Sequence, residues 1–517
     1  MSADQQASAE HPFEPLRLLR VCVRRPDAIV TSGLLTLLLL SPRILRHLPV
    51  NATTTGDSAA YLAGASFRPP LYGWFLNSWL WLHGDLTNLS IVQAVMLLAA
   101  VALFAVEFGL MMRNAVLAAA AGPLVLVHPD LIGAPDWMMT ECLFIVTVLL
   151  GMAMMFRHAR RGDGRSLIGA AILFGLAAIT RNTGMPFLLL PIAAALLDRR
   201  WRLVAGLRYA ALTGVAAALV MLSAMTWHAA HDGHFEIGTW GGISLLTKAL
   251  PLVQPSDVEG LPPPIQAVLP YVERDRELIA AQPDIAARLR AHVQAVSGDL
   301  RWAVFAPEAE ATWPAWQQAD WRLRGQMAGE VSKTLIRRHP LGALGLWADD
   351  WLALVLQPAY WPPAMTATIA NQTDYIFCGK YQNCWGLSTY YIPTPRLLVL
   401  LAVSLIAPVV ALALLVFRGA QVLIRQRDGG PAILTLGDHR VRIRPPDSQA
   451  ILFWLTALVI HASLAVAALE AGAPRYTIAI YALEVPLLIW IAVQLGHWVR
   501  ERYHKARSLS IRPHASG

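Results

Sequence analysis

Long apolar runs alternate with short polar loops along most of the chain. Several runs approach or exceed the ~20 residues that an α-helix needs to cross a bilayer. They cover residues 28–42, 89–112, 115–127, 139–156, 167–179, 184–197, 209–227, 397–417, 451–469 and 478–493. The pattern predicts an all-α polytopic membrane protein with about ten transmembrane helices.

Arginines are concentrated in alternate loops of this pattern. Basic clusters occur within residues 17–25, 157–165, 199–202, 418–444 and 500–507. The positive-inside rule places these loops in the cytoplasm, and therefore predicts a multi-pass protein of the cytoplasmic (inner) membrane with both termini inside. A cleaved signal peptide is the alternative for the first run, but Arg43 and Arg46 directly after it favour an uncleaved anchor.

The same pattern divides the chain. Residues 1–27 form a cytoplasmic tail, 28–227 a transmembrane core with a first outer loop at 47–87, and 228–395 a large, mainly helical extracytoplasmic region. Residues 396–499 hold the last transmembrane helices with a cytoplasmic loop at 418–449, and 500–517 form the second tail. Within the third part, Asp349 and Asp350 interrupt an apolar run and predict an interfacial helix over 341–357. Alternation over 435–444 predicts a small hairpin.

Composition agrees with a membrane protein. The 517 residues are 56% hydrophobic and 15% charged, with a formal net charge of +8. Because the basic residues flank apolar runs, the excess is a topology signal and not a nucleic-acid surface. The bilayer is therefore a predicted partner and nucleic acid is not.

The four cysteines fall into two groups. Cys22 and Cys142 lie in or beside apolar runs, where a buried, inert thiol is expected. Cys378 and Cys384 lie in the short polar segment CGKYQNC. Since this segment is predicted outside the cytoplasm, where oxidation is favoured, we expect a disulfide between them.

The first outer loop carries the densest candidate chemistry. Its sequence GDSAAYLAGASFRPPLYGWFL places the carboxylate of Asp57 and the guanidinium of Arg68 within one short segment. Two prolines after Arg68 fix the backbone before Tyr72. A polar loop with an interfacial aromatic belt is the alternative interpretation.

Further charges edge into the predicted spans on the same side. They are Asp136, Glu141, Arg181 and Arg475. A charge at the bilayer centre costs at least ~2.5 kcal/mol, so such residues usually face a cavity or one another. For Arg181 a snorkelling interfacial arginine is the alternative, and for Glu141 a structural ion pair.

The segment HAAHDGH follows the seventh run. Histidines three residues apart share a helix face and could bind a metal ion. A solvated helix end is the alternative, because the chain leaves the last span of the core at this point.

Six motifs in four segments resemble one known superfamily. They are GD, YL and RPPLY in the first outer loop, PDWMMTE at the start of a span, GLAAITRNTG, and APRYTIAIYALEVPLL in the last span. Together they resemble the GT-C superfamily of polytopic glycosyltransferases, in the branch of protein O-mannosyltransferases and lipid A aminoarabinose transferases. The resemblance covers residues 42–250 and 471–486.

The resemblance implies an enzyme that moves a sugar from a polyprenyl-phosphate donor to an extracytoplasmic glycan, lipid or protein. It implies that Asp57 is the general base and that Asp136 and Glu141 are further catalytic acids. The implied phosphate-binding residues are Arg68, Arg181 and Arg475, and the implied substrate contacts are Tyr61, Tyr72 and Tyr476. A divalent metal ion stays open as a cofactor: members that bind one have a second acid beside the first-loop aspartate, whereas this chain has Ser58.

Two other functions are compatible with many spans and a long outer region. A transporter or flippase of lipid-linked sugars would place polar residues near mid-span in several helices, whereas here they gather at one face. An O-antigen polymerase or ligase would not require the first-loop motif.

Overall fold

A computed structural model describes residues 24–360 with short gaps, two strands within 433–442, and a few residues between 481 and 503. Arg475, Tyr476, Cys378 and Cys384 lie outside the described residues, and so do the predicted spans 397–417 and 451–469. The described part is mostly helical.

An apolar bundle occupies the first half of the chain. Its helices, with the two short helices of the first loop, are α1 Pro26–Leu45, α2 Ser58–Leu62, α3 Leu71–His83, α4 Leu89–Met112, α5 Ala115–Val125, α6 Thr140–Arg161, α7 Gly164–Ala178, α8 Leu189–Leu197 and α9 Leu203–Asp232. Helix α4 packs against α1, α5 and α6, and α7 packs against α6 and α9. The core between them contains Phe104, Phe156 and Phe174, all fully buried.

Three helices of the described part are long and apolar enough to cross a membrane: α4, α6 and α9. The 24 residues of α4 extend about 36 Å, more than the ~30 Å hydrocarbon core of a bilayer. Shorter apolar helices cover Pro26–Pro42, Ala115–Val125, Gly164–Ala178 and Asn182–Leu196. The chain is therefore a membrane protein, and the total of about ten spans stays a prediction.

Polar caps fix the short turns between these helices. The side chain of Asn114 accepts hydrogen bonds from two backbone N–H groups at the start of α5, and Asp163 accepts one from Ser166 at the start of α7. Gly162 ends α6 with φ of 71°. Because each cap satisfies otherwise unpaired backbone groups, the chain reverses direction within a few residues.

A second helical region follows α9 and has its own apolar core. Its helices are α10 Gly241–Ala249, α11 Pro264–Ala280, α12 Ile285–Val296, α13 Ala306–Thr312, α14 Pro314–Gln317, α15 Trp321–Arg338 and α16 Pro340–Tyr360. Helix α10 packs closely against α15. Leu246, Phe305 and Leu335 are fully buried in this core.

Helix α16 contains the apolar run that Asp349 and Asp350 interrupt. Asp350 is 1% exposed, and its carboxylate lies 2.5 Å from Lys248 Nζ and 3.0 Å from His292 Nε2. A buried carboxylate needs such partners, so the acid joins α16 to α10 and α12. The interfacial location of this helix stays a prediction.

The predicted hairpin is confirmed. Strand β1 Ile433–Leu436 pairs antiparallel with β2 His439–Arg442, and Leu436 lies opposite His439. Gly437 and Asp438, between the two strands, are typical of a two-residue hairpin loop.

Candidate functional site

The first predicted outer loop folds into α2, a turn and α3, and the turn brings Arg68 back to Asp57. Arg68 Nη2 lies 2.5 Å from Asp57 Oδ1. The guanidinium also lies over the rings of Tyr61 and Phe67, at 5.3 Å and 5.5 Å from their centroids. The carboxylate of Asp57 and the guanidinium of Arg68 therefore form a charge-assisted hydrogen bond, and two aromatic rings support the guanidinium.

Two tyrosines form the floor of this loop. Tyr61 is 4% exposed and Tyr72 is fully buried, and their rings meet edge to face with centroids 5.2 Å apart. Gly73 makes this approach possible, because a Cβ there would lie 2.8 Å from the carbonyl oxygen of Tyr61. The Tyr72 hydroxyl donates a hydrogen bond to Gln93 Oε1 over 3.1 Å.

Gln93 connects the first loop to the second. Its side-chain NH2 group donates hydrogen bonds to the backbone carbonyl oxygens of Pro135 and Trp137. Its backbone carbonyl oxygen accepts a hydrogen bond from the Cys142 thiol. Gln93 was not among the site residues predicted from the sequence. The signal was an amide in a mostly apolar helix, which needs hydrogen-bond partners where it is buried.

Glu141 and Arg181 form the second ion pair of the site. Arg181 Nη1 lies 2.6 Å from Glu141 Oε1 and 3.1 Å from the Thr140 hydroxyl. The two charged side chains are 13% and 6% exposed, so neither is a surface group. The ion pair that was the alternative interpretation of Glu141 is therefore present, and its partner is Arg181.

Backbone and hydroxyl contacts hold the three loops together. The Leu71 N–H donates to the carbonyl oxygen of Ile179 over 3.1 Å, and the Ser58 hydroxyl donates to that of Met138 over 3.0 Å. Ser58 is 2% exposed. The position next to Asp57 therefore has a structural role in this chain.

Tyr61 lies within the combined field of both ion pairs. Burial raises the pKa of its phenol, Arg68 opposes this rise, and Asp57 reinforces it. Glu141 also raises this pKa and Arg181 lowers it. The phenol therefore stays protonated and can donate a hydrogen bond to a substrate oxygen.

Asp136 differs from the other two acids. It ends the short 3-10 helix Ala134–Asp136, is half-buried, and has no hydrogen-bond or ion-pair partner among the described residues. Burial raises the pKa of its carboxyl to about 6. A carboxylate with such a pKa can accept and release a proton near neutral pH.

The described residues contain no group of three or more His, Cys, Asp or Glu that could hold a metal ion. In the histidine-rich segment, His228 Nδ1 lies 2.8 Å from Asp232 Oδ2, and His231 Nδ1 lies 2.9 Å from the Trp227 carbonyl oxygen. These contacts belong to the last turns of α9. Asp57 faces an arginine, and Ser58 donates to a backbone carbonyl, so the described part of the first loop does not fit a metal site.

Most predicted site residues in the described part meet at one end of the bundle. The structure brings together Asp57, Tyr61, Arg68, Tyr72, Glu141 and Arg181. Asp136 follows Pro135, whose carbonyl oxygen accepts a hydrogen bond from Gln93. Their roles stay predictions, as do those of the four predicted residues outside the described part. Cys142 is buried and is not in a disulfide.

No protein-family model matches the chain, and no curated protein or solved structure matches it.

Proposed function

We propose that the chain is a membrane glycosyltransferase. It moves a sugar from a polyprenyl-phosphate donor to an acceptor hydroxyl at the extracytoplasmic face of the cytoplasmic membrane. The acceptor is a glycan, a lipid or a protein. The proposal rests on the sequence resemblance and on one structural observation, which is that two arginine–carboxylate pairs, Arg68–Asp57 and Arg181–Glu141, both lie around Tyr61.

Two arginines at one site suit a reaction whose leaving group is an anionic lipid phosphate. The acceptor oxygen forms a bond to the anomeric carbon, the bond from that carbon to the phosphate oxygen breaks, and the anionic lipid phosphate leaves. A guanidinium presents five N–H donors in a planar fork, so Arg68 and Arg181 can each contact a carboxylate along one edge and a phosphate along another. Asp57 and Glu141 then orient the arginines.

We assign the general base to Asp136. In the sequence-based hypothesis this role belonged to Asp57, but an acid bonded to a guanidinium has that oxygen committed to holding the arginine. Asp136 has no such partner in the described part of the chain, and its carboxylate accepts the proton that the acceptor hydroxyl loses. A positioned base contributes typically 10²–10⁴-fold to the rate.

The distribution of charge favours a transferase over a transporter. Helix α4 carries a single charged residue, Glu107, and α6 carries its charges at Glu141 and at Arg157 and beyond. Glu107 pairs with Arg160 at 2.7 Å, near the opposite end of α6 from Glu141. In these two helices the charges thus avoid mid-span, where a transport path would need polar groups.

A deletion strain tests the proposal. Mass spectrometry of its polyprenyl-phosphate sugars and envelope glycans should show the loss of one decoration and the accumulation of the corresponding donor. Unchanged carrier lipids together with unchanged envelope glycans would contradict it.

A further inference from the structure

The segment between α9 and α10 contacts the first loop at the turn that carries Arg68. Gly238 of this segment lies against the backbone of the turn. A Cβ at this position would be 3.2 Å from the carbonyl oxygen of Phe67, 3.3 Å from the carbonyl carbon of Arg68 and 3.4 Å from the nitrogen of Pro69. These distances are tighter than most real Cβ contacts, so the missing side chain of Gly238 allows the two segments to approach this closely.

A second contact reaches the same turn from α15. The indole ring of Trp321, the first residue of this helix, packs against the ring of Phe67 with centroids 5.4 Å apart and planes tilted by 41°. The Phe67 ring in turn lies 5.5 Å from the guanidinium carbon of Arg68. Phe67 therefore links an aromatic side chain of the second helical region to the cation of the first loop.

The two contacts belong to one rigid part of the second region. Helices α10 and α15 meet at glycines, because a Cβ at Gly242 would overlap the carbonyl group of Gly325. Gly325 lies about one helical turn after Trp321, and Gly242 follows Gly238 within the same stretch of chain. Close backbone packing of the two helices therefore fixes Trp321 relative to Gly238.

The orientation of Arg68 matters because its guanidinium has two tasks in the proposed site. One N–H group bonds the Asp57 carboxylate, and the other donors meet a phosphate only if the planar fork is held in one orientation. An arginine side chain has many rotamers, so holding one of them requires several contacts. Within the loop these contacts come from Asp57, Tyr61 and Phe67. The second region adds to them by holding Phe67 and the backbone of the turn.

We infer that the second helical region positions Arg68 in the site, with Trp321 and Gly238 as its positioning residues. Trp321 acts through the ring of Phe67, and Gly238 acts through the backbone of the same turn. The inference rests on the proposed function for the task of Arg68 at the donor phosphate. It adds a role for the second helical region and two residues that the sequence did not assign to the site.

The chemical reactivity of Arg68 tests the inference without any transfer reaction. The full chain in nanodiscs of phosphatidylcholine is treated with phenylglyoxal, which modifies accessible guanidinium groups. Mass spectrometry of its peptides then gives the modification rates of Arg68 and of Arg181, the other arginine of the site.

Trp321→Ala should raise the rate at Arg68 about 2- to 10-fold, the range for the loss of one aromatic pair, and leave the rate at Arg181 unchanged. Because Trp321 is 41% exposed, its replacement should leave the region folded. Trp321→Phe keeps a ring and should react nearly like the parent. Equal increases at both arginines would show a general loss of structure instead of a local one, and would overturn the assignment of Trp321.

Gly238→Ala tests the backbone contact independently. The added methyl group presses on the turn and should also raise the rate at Arg68. The matched controls are Gly241→Ala, where a Cβ meets nothing within 4 Å, and Leu323→Ala, at an exposed position of α15; both should react like the parent. Parental rates at Arg68 in both Trp321→Ala and Gly238→Ala overturn the inference, even if transfer is established.

Kinetics separate a positioning role from a merely structural one. Since Arg68 would contact the phosphate already in the ground state, Trp321→Ala and Gly238→Ala should raise the KM for the donor and change kcat little. A lower kcat at parental KM would overturn the positioning role. Absence of any transfer by the parent, with the changes in Arg68 reactivity as expected, would overturn only the proposed reaction.

Discussion

Glu141 Oε1 lies 2.6 Å from Arg181 Nη1. This ion pair joins the first turn of α6 to the loop that follows α7. Both side chains are largely buried, and the Thr140 hydroxyl bonds the same guanidinium. The pair thus fixes the relative positions of two loops that are 40 residues apart in sequence. This connection helps to align both loops with the first-loop pair.

Replacing one partner of this pair should destabilise the protein strongly, and replacing both should cost less than the two single substitutions together. Glu141→Gln or Arg181→Gln alone leaves a buried charge without its partner, which typically costs about 3–5 kcal/mol. The double variant should cost clearly less than the sum of the two. Unfolding of the purified protein in detergent measures all three free energies, with the exposed Glu330→Gln as a control that changes little. Additive effects of the two substitutions would show that the pair is not coupled.

The acid limb of the kcat/KM–pH profile should follow the deprotonation of Asp136. Because burial raises the pKa of its carboxyl to about 6, and a general base must be deprotonated, kcat/KM should rise with pH and level off above about 6. Asp136→Asn should lower turnover 10²–10⁴-fold and remove this rise. Asp57→Asn should instead raise the KM for the donor, since it releases Arg68. A parental profile in Asp136→Asn would move the base back to Asp57.

Local sequence predicted the helices well, and it placed Asp57 and Arg68 in one short loop without predicting that they pair. The expected run 89–112 coincides with α4, because apolar residues fill it and Asn88 and Arg113 flank it. Asp57 and Arg68 lie only 11 residues apart, so a single turn can bring them together. These features depend on neighbours along the chain.

Contacts between distant residues were not predictable in the same way. Nothing in the sequence indicates that Gln93 bonds the carbonyl groups of Pro135 and Trp137, more than 40 residues away. The aspartates of α16 predicted an unusual helix, but not that Asp350 pairs with Lys248, 102 residues earlier. Such partners are selected by packing, which a hydropathy pattern does not encode.

Gly184 should not tolerate a side chain. A Cβ there would lie 2.5–2.6 Å from backbone atoms of Ala177 and Ala178, closer than any real contact. Gly184→Ala should therefore displace the segment after Arg181, lowering both stability and activity. Gly241→Ala is the matched control, because a Cβ there meets nothing within 4 Å. Thermal unfolding compares the two, and equal melting temperatures would refute the close packing.

Asp257 should make stability depend on acid pH. Burial alone would raise the pKa of Asp257, but hydrogen bonds from His339, Arg338 and a backbone N–H outweigh it and lower the pKa. The stabilisation is therefore present above the unfolded pKa of about 3.9 and is lost as pH falls through the lower folded value.

Asp257→Asn should accordingly reduce stability at pH 7 and make the acid-side decline shallower. Chemical unfolding between pH 3 and pH 7 measures this difference, with the exposed Glu273→Gln as the control. An equally steep acid-side decline in Asp257→Asn would assign the effect to other groups.

Transfer by the purified chain is the most direct test of the proposed function. The protein is reconstituted in liposomes with polyprenyl-phosphate sugars extracted from the deletion strain and with envelope acceptor from the same strain. We expect release of polyprenyl phosphate together with transfer of sugar to the acceptor, and a 10²–10⁴-fold slower release by Asp136→Asn at equal protein level. An intact donor that only crosses the bilayer, or no change in the donor at all, would contradict it.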